Sequence, residues 1–456
     1  MSPSAPWYVY PWTGQTPPPA AFGPDQFHKI YGYNRILREI LKIRALRLLF
    51  IANFVSMVGS GMNSAAVVWF ILQSTHSEQA LGILVVCQVI PSLLLLPFSG
   101  VIIDRQDRRH LCMALDAIRG LIILTVAVLA LTHHVQVWHV FLMNVLVSTG
   151  FWMFWPTINA LLQELTPDSE LAHSNAALLA GFQGGWLIAG ALVGFVYNRI
   201  GLGGILLIDF ATYGFSIACY AFVREGRHVV AQAVRVHAGA VRQFWHELQD
   251  GFRFVAARTT VKLVGMTWAL FVCSMQVTSV VAAPISDRVL HAGAVGYGWM
   301  NAGWGIGAFI GSVMAANLIH RFGWKGAIPA SMAVLSLCLY GLPFSTVILL
   351  AAALFLIAGI ARGVGGIALS STMMELIPKH YMGRVQNLFS LFAIAMQIAV
   401  APLIGGAAQY HSLILGTSVI GTMYLLASIA GLFARRTPAA DKDVEVVTAV
   451  STSEVV

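Results

Sequence analysis

Ionisable side chains are scarce in this chain, and their spacing defines a short list of sites with chemical capacity. The stretch GVIIDRQDRR at 100–109 opens with Gly100 and packs Asp104, Arg105, Asp107, Arg108 and Arg109 into six residues, straight after an apolar run. A carboxylate beside guanidinium groups at a helix end makes charge-assisted pairs that hold in one arrangement and break in another. Asp116 and Arg119 sit three residues apart, a spacing that places them on one helix face as a mutually neutralising, structural pair. Asp209 is isolated in an apolar run and reads as a hydrogen-bonding anchor or a protonation site. Arg362 is isolated as well, among Gly359, Gly363, Gly365 and Gly366. A guanidinium there attracts a carboxylate, phosphate or phenolate, or else binds a backbone carbonyl or buried carboxylate. Glu164 and Glu375 close two further apolar runs; with Asp104, Asp116 and Asp209 they complete the set of carboxylates available for moving a proton.

The elements that must position these residues follow from composition. The chain has 456 residues, 58% hydrophobic and only 10% charged, against roughly a quarter charged in soluble proteins. It reads as an all-α membrane protein. A formal net charge of +8 does not point to nucleic acid, because the basic residues stand at the ends of apolar runs and form no basic domain. The five cysteines are dispersed, without CxxC spacing, and read as small apolar residues. The first 24 residues are uncharged and proline-rich, with neither the basic nor the apolar region of a cleaved signal.

A membrane-crossing helix takes roughly 20 apolar residues. Such runs occur near 48–72, 81–103, 111–132, 137–161, 174–197, 203–223, 262–283, 295–319, 327–344, 347–373, 385–408 and 412–434, twelve in all. With the N-terminus placed in the cytoplasm, nearly every Lys and Arg falls on the cytoplasmic side, leaving Arg199 and Arg288 opposite. That asymmetry satisfies the positive-inside rule and puts both termini in the cytoplasm. The expected organisation is a tail at 1–47 with an amphipathic segment about Ile36, Leu37, Ile40 and Leu41, a six-helix bundle at 48–223, a linker at 224–261, a second bundle at 262–434 and a tail at 435–456.

The halves repeat. ELTP at 164–167 and ELIP at 375–378 are 211 residues apart, as are GALVGF at 190–195 and APLIGG at 401–406. A weaker pair sets GVIIDRQDRR against ANLIHRFGWK at 316–325, which lacks the carboxylate. Duplication of a six-helix unit places a substrate site near the midplane between halves that rock against each other. The spans expected to face that space carry Asn53, Asn63, Trp155, Gln276 and Gln397, with Trp69, Trp152, Asn159 and Trp304. Singly each reads as a packing or interhelical residue; as a set they suit an amphipathic, partly aromatic molecule. Gly190, Gly194, Pro402, Gly405 and Gly406 read as helix-packing and kink positions.

The residues at 100–109 resemble the loop between helices two and three of the major facilitator superfamily, G-x-x-x-D-R-x-G-R-R/K, with Asp107 in place of the second glycine. LRLLFIANFVSMVGSGM, LDAIRG, ELQDGFRFV at 247–255 and GRVQNL at 383–388 resemble the prokaryotic exporter branch that includes enterobactin exporters and macrolide efflux proteins. The resemblance runs over about 44–434 and implies twelve helices in two pseudo-symmetric bundles of a cell inner membrane, alternating access, and a conformational latch of Gly100, Asp104, Arg105, Arg108 and Arg109. The G-P-x-x-G-G motif of antiporter helices five is incomplete at 190–195, with proline and the last glycine absent. The expectation is a monomeric secondary transporter exporting a small organic molecule, coupled to protons. Uptake of an organic anion and a non-cycling receptor or scaffold are the alternatives. HExxH, GxSxG, GxxxxGK[ST] and Cys/His metal spacings are not found, so no enzyme activity, cofactor or metal is expected.

Overall fold

The computed structural model describes residues 43–95, 102–103, 106–167, 170–223 and 240–436. Gly100, Asp104, Arg105 and the segment about Ile36 to Leu41 lie outside the described residues.

Every long element is helical, as the unbroken apolar runs require: in a bilayer only intrasegment bonding satisfies each backbone N–H and C=O. The helices are α1 (Arg44–Thr75), α2 (Glu78–Leu95), α3 (Arg108–Leu131), α4 (Val137–Leu165), α5 (Leu171–Phe222), α6 (Ala240–Ala256), α7 (Thr259–Pro284), α8 (Gly293–Phe322), α9 (Trp324–Gly341), α10 (Ile348–Leu376), α11 (Lys379–Tyr410) and α12 (Leu413–Arg436). Eleven of them are long and apolar enough to cross a membrane. Large apolar side chains such as Leu349, Leu337 and Leu403 stand exposed on the perimeter, where acyl chains rather than water are the fitting solvent.

α5 runs to 52 residues, about 78 Å at 1.5 Å per residue, far more than a bilayer core of about 30 Å. It is broken at Gly201, whose φ of 63° and ψ of −169° are open to glycine. The first arm ends and the second begins at that residue, in place of the loop expected between 197 and 203.

Packing is set by small residues. Gly303, Gly307 and Gly311 of α8 lie against the backbone of Ala352, Leu356 and Ile360 of α10; a Cβ at Gly307 or Gly311 would stand 2.1 Å from the facing carbonyl oxygen. This is close helix approach through small residues at four-residue spacing. α1 packs chiefly along α5, α3 on α4 and α5, α8 along α10, and α12 on α7 and α9. The helices α1–α5 thus form an N-terminal group and α7–α12 a C-terminal group, which meet where α2 packs on α11 and α5 on α8.

α6 falls inside the expected linker. Its apolar face rests on α11, with Phe254 stacked on Tyr381 at 4.6 Å, and Gly251 lies within Cβ reach of the Arg384 backbone.

Candidate functional site

The two groups are not joined evenly along their length. At the end where α1 turns into α2, Ser77 donates to Gln409 Oε1 at 2.6 Å and the Gln79 N–H donates to the same oxygen at 3.1 Å. Tyr410 donates to Gln79 there too. The Glu78 carboxylate, fully buried, pairs with Arg288 at 2.7 Å, and Arg288 also donates to the His76 carbonyl at 3.0 Å. Gly82 faces Ala401 and Pro402, Gly405 faces Glu78 and Gln79, and Gly194 faces Ala294 and Gly298 with Cβ clearances under 3.0 Å. Gly190 abuts Asn301, and Trp69 of α1 stacks on Tyr297 of α8 at 6.3 Å. The glycines and Pro402 therefore lie on the seam between groups, while Gly406 touches Tyr410 of its own helix.

The apolar core divides accordingly. From Met62 to Leu72 and Leu81 to Val85, and across Ala189 to Tyr213, it is continuous with the core of α7–α12. At the end where α2 leads to α3, the N-terminal group has a separate core of its own, including Leu46, Leu49, Phe154, Ile158, Leu178 and Tyr220.

The charged stretch divides in the same way. Asp107 is the N-cap of α3, accepting from the His110 N–H at 3.1 Å. Burial pulls its carboxyl upward, but the His110 bonds and charge outweigh that and hold it below its ordinary value. Arg108 pairs with Glu164 at the end of α4. Arg109 donates to the Tyr220 and Ala221 carbonyls at 2.6 and 2.8 Å, satisfying the last turn of α5. The described arginines of the expected latch thus tie α3 to α4 and to α5, all within one group. Glu375 is exposed near the end of α10.

Asp116 and Arg119 do pair, both fully buried. Gly150 makes room for the arginine, and its guanidinium lies over the Phe154 and Tyr213 rings at 4.5 and 4.7 Å. Beside them, Asp209 accepts from Asn63 Nδ2 of α1 at 2.8 Å.

Arg362 is partly buried on α10, its Nε donating to Met275 Sδ of α7 at 3.1 Å and its guanidinium 5.6 Å from the Trp304 ring of α8. No carboxylate pairs with it among the described residues. The other expected substrate contacts do not gather round it. Asn53 and Asn63 turn toward α5 instead of the space between groups: Gly181 lets the Asn53 amide reach the Leu178 carbonyl at 3.2 Å, and Asn63 is held by Asp209. Trp155 joins a row with Phe182 and Trp186. Gln276 is partly buried, and Gln397 is buried with Oε1 lacking a hydrogen-bond partner among the described residues.

A family model described as Major Facilitator Superfamily matches residues 49–402. The chain belongs to the Major Facilitator Superfamily. Among superfamily relatives, it is 21% identical to an uncharacterized MFS-type transporter, YkuC, of Bacillus subtilis, over 80% of this chain and 86% of that one. It is 23% identical to the multidrug efflux pump Tap of Mycolicibacterium fortuitum, over 84% and 94%, and to macrolide efflux protein A of Streptococcus pyogenes, over 34% and 38%. The fold is similar to that of a bacterial homologue of the iron transporter ferroportin in an inward-facing state, with a TM-score of 0.67, 16% identity, and coverage of 86% of this chain and 99% of that one. Superfamily membership makes this a multi-pass membrane transporter of small molecules and not an enzyme, and the expected likeness to efflux proteins is present.

The sequence reading missed Glu78 and Arg288. Arg288 stood out only as a basic residue on the poor side of the charge asymmetry, and nothing in spacing paired it with a glutamate 210 positions away.

Proposed function

We propose that the protein exports a small organic molecule across a cell inner membrane by alternating access, as a proton-coupled antiporter. The break at Gly201 makes α5 two crossings, giving twelve spans in two pseudo-symmetric six-helix bundles with both termini cytoplasmic. The observation that carries the reading is the uneven joining of the groups among the described residues: core and bonds are continuous at the α1–α2 end and divided at the α2–α3 end. The arginine-rich turns support a cytoplasmic α2–α3 end, and with it a reading of the arrangement as open inward and sealed outward. Alternating access then requires the Glu78–Arg288 pair to break and a tie to form at the other end, for which the sequence between α2 and α3 offers Asp104 and Arg105. The fold supplies all of this within one chain, consistent with a monomer.

The substrate site centres on Arg362. A cation without a carboxylate partner among the described residues, next to an indole and a thioether, suits an amphipathic molecule with an acidic group, and Gln276 and Gln397 add amide contacts. Export is supported by the efflux pumps among the relatives.

Accumulation of carboxyfluorescein, an anion, and ethidium, a cation, in cells with and without the protein tests the reading. Export predicts lower accumulation that rises with a protonophore, and the acidic-group assignment predicts the larger effect for carboxyfluorescein. Higher accumulation in expressing cells would overturn export in favour of uptake.

A further inference from the structure

We infer that the Asp209 carboxyl group, bonded to Asn63 of α1, is a proton-binding site, and that its protonation is felt by α1. The inference rests on the antiport reading above for its use in transport, and on geometry for the site itself.

Asp209 is fully buried on the second arm of α5. Its bonding is to neutral groups: Asn63 Nδ2 at 2.8 Å and, more weakly, Thr212 Oγ1 at 3.4 Å, whose hydroxyl already donates to the Asp209 carbonyl at 2.7 Å. No cation is bonded to it among the described residues, because Arg119 is engaged by Asp116 and directed to the Tyr213 hydroxyl at 3.4 Å. A buried carboxylate so placed has one mobile counter-charge available, a proton.

An independent feature supplies an acceptor for that proton. Asn63 Oδ1 is buried and has no hydrogen-bond partner among the described residues. With Asp209 ionised, acid and amide share one bond and this acceptor is orphaned, which is costly. With Asp209 protonated, O–H donates to the amide oxygen while the amide N–H donates to the carboxyl oxygen, and the two groups close a ring of two bonds. Protonation therefore converts a single bond between α5 and α1 into a double one. The proton comes from water and returns to water.

The surroundings transmit rather than absorb that change. From α1 the facing groups are Gly59, Ser60 and Asn63, none titratable; a Cβ at Gly59 would stand 2.6 Å from Asp209 Oδ1, so α1 lies directly on the carboxyl. From α3 come Asp116 and Arg119, a pair close enough to act on the Asp209 charge. From α5 itself comes Tyr213, which shares a hydrogen bond with Ser60 of α1 at 3.1 Å. α1 also carries Trp69 to the sealed seam, so a change in its hold on α5 reaches the interface between groups.

The test uses the full chain in lipid nanodiscs, with the proton as probe. The infrared carbonyl band of protonated carboxylic acids is followed on titration with acid. A component of that band is expected to be lost in the difference spectrum between the unsubstituted protein and Asp209→Asn, restored by Asp209→Glu, kept in Glu375→Gln, and moved in frequency and midpoint by Asn63→Ala. Asp209→Asn keeps an amide pair with Asn63 and so keeps the fold. A difference spectrum with no component lost in Asp209→Asn, or a lost component indifferent to Asn63→Ala, would overturn the site. In vesicles, Asp209→Asn should abolish the several-fold acceleration of carboxyfluorescein flux by a pH gradient, and Asp209→Glu should keep it. Flux in the unsubstituted protein that ignores the gradient would remove the antiport reading while leaving the band untouched, so the two failures are separable.

Discussion

The N-terminal and C-terminal helix groups handle buried charge in opposite ways. In the first, Arg119 is fully buried but bonded to Asp116 and laid over two rings, and Arg108 and Arg109 fasten helices to one another. In the second, Arg362 has a thioether and an indole for company. A cation that holds helices together has its partners within the protein; one that awaits a ligand does not. Charge thus stiffens one group, and in the other a guanidinium is left without a carboxylate partner among the described residues.

The same kind of substitution in each half should separate these roles most sharply. Arg119→Met leaves Asp116 buried and unpaired and is expected to cost about 3–5 kcal/mol, seen as a lost or greatly lowered melting transition in detergent; Asp116→Leu in the same chain should recover most of it. Arg362→Met should leave the melting temperature level or raised, and a fall as large as that of Arg119→Met would break the comparison. Arg362→Gln should weaken carboxyfluorescein binding by about 1.5–3 kcal/mol, roughly ten- to a hundred-fold, while ethidium is unaffected. Equal loss for both dyes would end the anion assignment.

Across the seam, Glu78→Gln removes the charge but keeps the shape of the Glu78–Arg288 tie, and should shift the equilibrium toward the outward-open state by about 1–3 kcal/mol. Spin labels at Ser74 and His411 would report it as growth of a longer distance population. The smallest effect belongs to Asp107→Ala, about 1 kcal/mol for loss of an N-cap, by thermal melting. Because the Asp107 carboxyl is held below its ordinary value, its contribution is complete at neutral pH and is lost as pH falls through the lowered folded-state value. The difference between Asp107→Ala and the unsubstituted protein should therefore shrink in acid.

Sequence alone was enough for an all-helical membrane fold, because a long uninterrupted apolar run satisfies its backbone most readily as a helix, but not for α6 inside the expected linker or for the break at Gly201 in place of a loop. The Asp116–Arg119 pair was legible for the same local reason, as three residues of helix bring the groups together. What was not legible is long-range. Asn53 and Asn63 look like cavity residues on a helix taken singly, and only the close approach allowed by Gly181 and Gly59 shows that they serve α5. Arg108 and Arg109 carry the motif of a latch, yet their partners Glu164 and the Tyr220 carbonyl lie over fifty and over a hundred residues away. Glu78 and Arg288 belong to no repeat and no motif.

Arg288 sits in a single π-helical turn, Ile285–Val289, closed by a bond from the Leu290 N–H to the Ile285 carbonyl. Such a turn holds one residue more than an α-helix would. Deleting one residue ahead of Arg288 within it would convert the π turn to an α turn and shift the guanidinium along and around the helix axis relative to Glu78. The Glu78–Arg288 tie therefore depends on chain length as well as on side-chain type, and a one-residue deletion there should loosen the α1–α2 end more completely than any substitution of equal size.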